Sequence, residues 1–455
     1  MATQTVNKNA RVIAIVVMFF VYAMISFVTN LAAPIGTIWG NLFAGDKVLG
    51  MMGNMMNFLA YLFMGIPAGN LLVKIGYKKT CLWALVVGIV GLFVQYLSGV
   101  VGADTIIAHF GQVPLPLNYF IYLLGAFICG FCVCMLNTAV CPMLNMLGGS
   151  GKGGNQLLQF GGALNSLAGT LTPFFVGALI GVLTPSTKIV AVAPLLFIGM
   201  AIFAVAFVVL SFVYIPEPPI SKGKKAYTHS PWSFRHTVLG VISIFFYVGV
   251  EVGIPGTLNF YLADQGANGA GVIGDASTIA GAIVAVYWLL MLVGRFLSGF
   301  ISGAVSSKTQ LTVVASLGVI LVLAAIFTPQ DVTVAVPSFL YDGGDVAARV
   351  PLSAYFLVLC GLSTSIMWGS IFNLAVEGLG KYTAQASGIF MMMVVGGGIM
   401  PLIQSAIANN AGYITSYWLV VAMLLFILFY GLIGSKNVNT DIPVDEEETL
   451  DPRNL

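Results

Sequence analysis

The stretch "GIPAGNLLVKIGYKKT", Gly65–Thr80, closes a long apolar run with small residues, turns at Gly76 among lysines, and delivers the chain to a second apolar run. About 230 residues later "GRFLSGFISGAVSSKT", Gly294–Thr309, has the same shape. Two further correspondences fall in the same order. "NLAAP" (Asn30–Pro34) lies against "EVGIP" (Glu251–Pro255), and "GSGKGGNQ" (Gly149–Gln156) lies against "GLGKYTAQ" (Gly378–Gln385). The sequence is therefore read as two parallel repeats. Parallel repeats related by an axis along the membrane normal are a transporter architecture, with the substrate held at mid-depth between them.

Composition supplies the solvent. The chain has 455 residues, of which 59% are hydrophobic and 7% charged, against about 25% charged in soluble domains. Too few charges exist to cover a water-facing surface, so the apolar solvent is lipid. About 20 apolar residues cross ~30 Å of hydrocarbon. On that criterion spans are expected at 12–39, 48–73, 81–101, 117–146, 155–183, 190–215, 237–263, 274–302, 309–328, 351–376, 383–409 and 413–434. The fold class expected is an all-α membrane protein, with twelve transmembrane helices in two pseudo-symmetric six-helix bundles. The bundles occupy 1–215 and 235–434. A polar linker, "PEPPISKGKKAYTHSPWSF" at 216–234, joins them, and the acidic end, 435–455, reads as a disordered tail.

Charge asymmetry sets the orientation. With both termini in the cytoplasm, Lys47, Lys188 and Arg349 fall outside, Arg295 falls within a span, and the other fourteen of the eighteen Lys and Arg fall inside. The net charge of +2 thus reports topology rather than nucleic-acid binding. The first apolar run is too long for a cleavable signal peptide. All six cysteines fall within spans, which argues against a disulfide framework. Cys129 and Cys132 share a helix face, but no histidine is near and no metal is expected. "GGSGKGGN" is not a phosphate loop, because Met146 stands where a Walker sequence needs glycine and Gly153 where it needs Ser or Thr. No cofactor is implied. No HExxH pattern or nucleophile–base pair suggests an enzyme.

Charge inside the membrane is costly, about 2.5–3.5 kcal/mol at mid-depth on insertion scales, and marks functional sites. Glu251 is the one acid expected near mid-depth, set among Gly249, Gly253, Pro255 and Gly256. Proline removes a backbone donor and glycine tolerates unusual dihedrals, so a break in this helix is expected. Burial penalises a carboxylate's charged form, which makes such a group able to load and release a proton. Glu251 is the candidate for cation coupling. Arg295 is placed in the cytoplasmic third of its span and Glu377 at a cytoplasmic helix end. The two are expected to pair as an inner gate, flanked by Lys74 and Lys78. Amides and aromatics on several helices suit a neutral, hydroxyl-rich ligand: Asn30, Asn57, Asn137, Gln159, Tyr247, Asn259, Trp288, Trp368 and Asn373. Asn155 and Gln159 share a face at i, i+4. With no Lys or Arg expected at mid-depth, sugar phosphates and organic acids would lack a compensating charge.

These pieces resemble a known family. "GNLLVKIGYKK" (Gly69–Lys79) is similar to the loop signature of the major facilitator superfamily. Together with "CVCMLNTAVCPML", "QLLQFGGALNSLAG", "FYVGVEVGIPG", "GRFLSG" and "GLGKYTAQASG" it resembles the fucose–galactose–glucose proton symporters. The resemblance implies alternating access and sugar uptake across a bacterial inner membrane. The chain departs from the fucose symporters at the positions of their acids, where it has Asn30 and Asn137. It also has Gly162 where the family often has Asn, and Val73 in place of the loop acid. Glu251, the repeat counterpart of Asn30, is then the position to which coupling would move; glucose–galactose members favour a glutamate there. The expected protein is a monomeric, H+-coupled importer of a neutral hexose or N-acetylhexosamine. Passive or Na+-coupled hexose transport, a drug/H+ antiporter and a non-transporting sugar sensor are the rival readings.

Overall fold

The computed structural model of the chain describes residues 8–43, 47–149, 151–180, 187–215, 229–264, 266, 269–272, 276–337 and 348–444. Most of the expected linker (216–228) and the end of the acidic tail (445–455) lie outside the described residues.

The first half contains α1 (Lys8–Leu42), α2 (Lys47–Ile75), α3 (Tyr77–Leu97), α4 (Leu117–Leu147), α5 (Gly151–Ile180) and α6 (Ala193–Phe212). The second contains α7 (Arg235–Ala263), α8 (Ala276–Ile301), α9 (Ser307–Phe327), α10 (Leu352–Ser365), α11 (Met367–Val376), α12 (Thr383–Met392), α13 (Gly396–Ala411) and α14 (Tyr413–Phe429). Among the described residues, eleven helical stretches are long and apolar enough to cross a membrane. The remaining expected span, 155–183, corresponds to α5, a helix of 30 residues.

The packing repeats between halves. In the first, α2 and α3 both pack on α4, α3 on α6, and α1 on α5; in the second, α8 and α9 both pack on α10, α9 on α14, and α7 on α13. Each half also carries a short antiparallel hairpin in the matching loop: β1 (Ile106–Phe110) with β2 (Val113–Pro116), and β3 (Thr333–Ala335) with β4 (Arg349–Pro351). The outward faces are apolar. Val313, Leu317 and Ile320 recur on one face of α9, and Trp83, Val90 and Phe93 stand out from α3. Unpartnered apolar faces of this extent belong to a lipid solvent. Inward, glycines let helices approach. A Cβ on Gly91 of α3 would lie 2.7 Å from the backbone nitrogen of Cys129 on α4, close packing of the kind that replaces the hydrophobic effect in a membrane.

Two expectations change. The helix around Glu251 does not break: α7 runs continuously through Pro255. The interruptions lie elsewhere, at Ile366 between α10 and α11 and at residues 393–395 between α12 and α13. Residues 435–444, expected to belong to a disordered tail, are instead bonded to the second half. The backbone N–H of Lys381 donates to the Val444 carbonyl at 3.1 Å, and that of Arg235 donates to Asn439 Oδ1 at 2.9 Å. These bonds hold the segment against two helix starts.

Candidate functional site

The turns holding Lys74–Lys79, Lys308 and Lys381 define a basic end of the molecule. From it α7 rises toward the far end, and α8 returns. Helical side chains lean toward their own helix's N-terminus. Glu251 on α7 therefore leans toward the basic end, Arg295 on α8 leans away from it, and the two converge at mid-depth. Arg295 Nη2 meets Glu251 Oε1 at 2.7 Å. The guanidinium is buried, and the Glu251 side chain keeps 15% of its surface exposed.

All five guanidinium donors are engaged. Besides Glu251, Nη2 donates to Tyr247 Oη at 3.2 Å, Nη1 to Ser166 Oγ at 2.8 Å and to the Gly162 carbonyl at 3.3 Å, and Nε to the Ser365 carbonyl at 3.1 Å. The acceptors come from α5, α7 and α10, so one side chain ties the two halves together. The sequence prepares each. Ser363, Thr364 and Ser365 turn their hydroxyls back onto carbonyls of the preceding turn. Such bonds compete with the helical ladder, and the chain kinks at Ile366, leaving the Ser365 carbonyl for Arg295. The adjoining Ile366 carbonyl accepts from Gln159 Nε2 at 3.2 Å. Pro255 has no N–H for the Glu251 carbonyl four residues earlier; Tyr287 Oη donates there at 3.4 Å and contacts Thr364 Oγ1 at 3.0 Å.

This arrangement replaces the expected inner gate. Arg295 does not pair with Glu377, because its donors are all committed at mid-depth. Glu377 is exposed and caps α11, its carbonyl 3.0 Å from His236 Nε2. Lys78 Nζ donates to the carbonyls of Ser211 and Val213 at 2.9 and 2.8 Å, closing the C-terminus of α6 within its own half. Lys74 is exposed in the last turn of α2. Glu251 is likewise not a solitary charge, and the expectation of no mid-depth cation is wrong for Arg295. Its charge is already compensated by Glu251, so an anionic ligand still finds no unneutralised partner there.

The amides and aromatics are spread over several places. Around the pair lie Gln159, Tyr247 and Trp368, with the Tyr247 and Trp368 rings 6.2 Å apart. Trp288 is half-buried on α8, edge-on to Tyr287 at 5.4 Å. Toward the far end α7 presents one half-buried face containing Val252, Gly256, Asn259 and Phe260. A Cβ on Gly256, or on Gly281 of α8, would meet nothing within 4 Å, so this surface borders open space. Asn30, Asn57 and Asn137 belong to the first half. Asn30 donates to the Ser26 carbonyl at 2.8 Å and Oγ at 3.0 Å, Asn137 donates to Tyr61 Oη at 2.8 Å, and Asn57 is buried with Oδ1 unpartnered. Asn373 lies apart from the mid-depth group. It donates to Ser307 Oγ at 2.9 Å, at the start of α9, and accepts from Asn145 at 3.4 Å across the halves.

Ser166, Ser365 and Tyr287 are additions. Ser166 was legible: the Asn155–Gln159 face of α5 continues through Gly162 and Ser166 at i, i+4, i+7 and i+11. A glycine and a serine do not announce a polar stripe unless the period is followed past the amides. Gly162 also explains itself. A Cβ there would lie 3.3 Å from Arg295 Cδ, so the missing side chain is the space the arginine crosses.

The family model described as Major Facilitator Superfamily matches residues 15–400. The chain belongs to that superfamily. Among its relatives, the glucose/galactose transporter of Brucella abortus biovar 1 (strain 9-941) is 28% identical over 442 residues, covering 95% of each chain. The L-fucose-proton symporter of Escherichia coli (strain K12) is 23% identical over 407 residues, covering 82% of this chain and 81% of that one. The crystal structure of the superfamily transporter FucP in the outward conformation superposes with a TM-score of 0.72 at 18% identity, covering 94% of this chain and all of that one. The proton:xylose symporter XylE bound to 6-bromo-6-deoxy-D-glucose gives 0.67 at 12% identity, covering 94% and 98%. These structures share the major facilitator fold with this chain.

Proposed function

We propose that this superfamily member imports a neutral hexose by alternating access, coupled to H+ through Glu251. The observation that carries the reading is the Glu251–Arg295 pair, placed between the halves beside Gln159, Tyr247 and Trp368 and below the open face of α7. Amide groups and indole rings match hydroxyls and the apolar face of a pyranose. The relatives named glucose/galactose transporter and L-fucose-proton symporter support sugar as the substrate class. Asn30, Asn57, Asn137 and Asn259 are the remaining candidate sugar contacts. The lysine asymmetry supports a cytoplasmic basic end, with both termini inside, in the inner membrane of a bacterium. A drug/H+ antiporter is disfavoured because Arg295 already occupies the anion that would attract a lipophilic cation.

Protonation of Glu251 cancels the charge that holds the guanidinium, which gives a proton a structural consequence. In proteoliposomes, Glu251→Gln is expected to retain counterflow of labelled glucose, galactose or N-acetylglucosamine and to lose uphill accumulation under an imposed proton gradient. Accumulation at the wild-type level by this variant would remove Glu251 from the coupling step. Absence of counterflow with each of those sugars and fucose in the wild type would remove the hexose reading.

A further inference from the structure

We infer that Ser166, together with the Gly162 carbonyl, is the positioning element through which the Glu251–Arg295 pair latches the two halves at the basic side. The charge on Glu251 then sets whether that side opens. The inference rests on the proton-coupled reading above and adds to it the route from the acid to the seam.

Arg295 belongs to the second half, yet Nη1 gives its hydrogen bonds to α5 of the first, at 2.8 Å to Ser166 Oγ and 3.3 Å to the Gly162 carbonyl. Other described side-chain polar contacts between the halves are neutral, among them Gln159 to the Ile366 carbonyl and Asn145 to Asn373. Apolar rings fill part of the α5–α8 contact, with Phe160 against Phe296 and Phe300 at ring separations of 5.9 and 5.2 Å. Arg295 is thus the contact that can sense charge. While Glu251 is ionised the buried guanidinium is neutralised and the seam is held. Once Glu251 is protonated, the guanidinium is left in the seam with neutral acceptors alone. An uncompensated buried charge is strongly destabilising, and opening the seam relieves it by hydration. A deprotonated, empty carrier is returned to the basic-side-closed state by the same contact.

The titratable groups facing the pair are Tyr22 from α1, Tyr247 on α7, Tyr287 on α8 and, behind Tyr22, Cys141 from α4. Phenols and thiols are ordinarily neutral at physiological pH, so Glu251 and Arg295 are the charges at this crossing. The face of α5 is built for the crossing, since any side chain at Gly162 would press on Arg295.

The test is a distance measurement between spin labels at Lys79→Cys and Lys308→Cys, both exposed at the basic end, one on each half. The six native cysteines are buried. Wild type is expected to show mainly the short distance at neutral pH. Ser166→Ala is expected to raise the long-to-short ratio about tenfold, the scale of one lost hydrogen bond to a charged group. Ser166→Thr, which keeps the hydroxyl, is expected to restore the short distance. Glu251→Gln, which removes the charge outright, is expected to give mainly the long distance. A Ser166→Ala protein indistinguishable from wild type in that ratio would overturn the latch, as would a Glu251→Gln protein that stays closed. The labels report opening without sugar or a gradient, so the latch can fail while hexose counterflow persists, and the reverse.

Discussion

At Arg295 a single side chain connects three helices, and its chemistry is specific to a guanidinium. Five donors in a planar fork serve five acceptors; an ammonium has three donors on a compact head. Arg295→Lys is therefore expected to leave acceptors on α5 or α10 unserved while keeping a positive charge near Glu251. The expected outcome is a folded protein with sugar counterflow, whose uphill accumulation falls by about tenfold, the effect of losing roughly 1.5–3 kcal/mol of charge-assisted bonding. Wild-type accumulation in proteoliposomes would show that charge alone suffices. Gly162→Asn tests the same crossing from the other side. Its Cβ alone would sit 3.3 Å from Arg295 Cδ, so the guanidinium must withdraw from α5, and accumulation is expected to fall with counterflow retained. At this scale the sequence singled out Glu251 and hid its partner. Arg295 is only six residues from the end of α8, and depth counted along the helix places it near the interface. The lean of the side chain toward the helix N-terminus carries it inward, and position along a span does not encode that.

Among the elements, the instructive case is where helices are interrupted. Glycines and a proline around Glu251 suggested a break in α7, but one proline withholds one donor, and the freed carbonyl is served by Tyr287 at 3.4 Å. The break falls instead in "STSIM", where three consecutive hydroxyls bond back to the preceding turn. The other falls beside a run of three glycines, Gly396–Gly398, followed by Pro401. Competition from several neighbouring side chains or several flexible residues interrupts a helix where a lone proline does not. Pro255→Ala is accordingly expected to be tolerated. It restores an N–H opposite the Glu251 carbonyl and replaces the least favourable helix residue with the most favourable, a difference of up to about 3 kcal/mol in an exposed helix interior. The melting temperature in detergent is expected to stay level or rise. A clear fall would mean that α7 needs the freed carbonyl more than it needs the helical bond.

Taken whole, the molecule is two matched halves held by two seams, α5 on α8 and α2 on α12, which the repeat exchanges. The six-and-six division and the apolar stretches were legible because lipid demands a fixed length of apolar chain. The hairpins were not, since strands of three to five residues leave no periodic signal. The seams were invisible too, because small residues read as filler until two backbones are seen to touch. At the second seam a Cβ on Gly388 would lie 2.7 Å from the Gly65 carbonyl oxygen and 3.1 Å from Gly69 Cα. Backbone cannot swing aside as a side chain can, so Gly388→Ala must push α12 away from α2 at the basic end. The first seam reports the result. Asn155 on α5 is 1% exposed, and neither its Nδ2 nor its Oδ1 has a partner. Buried amides in that condition are costly, and water reaches this one when the basic side parts. With Asn155→Cys as the reporter, a membrane-impermeant maleimide is expected to react slowly in the otherwise wild-type protein. In the Gly388→Ala background it is expected to react at least about tenfold faster, as a shift of ~1.4 kcal/mol toward the open state gives. Equal rates would mean that the seams part independently, and that the halves do not move as rigid bodies about the Arg295 crossing.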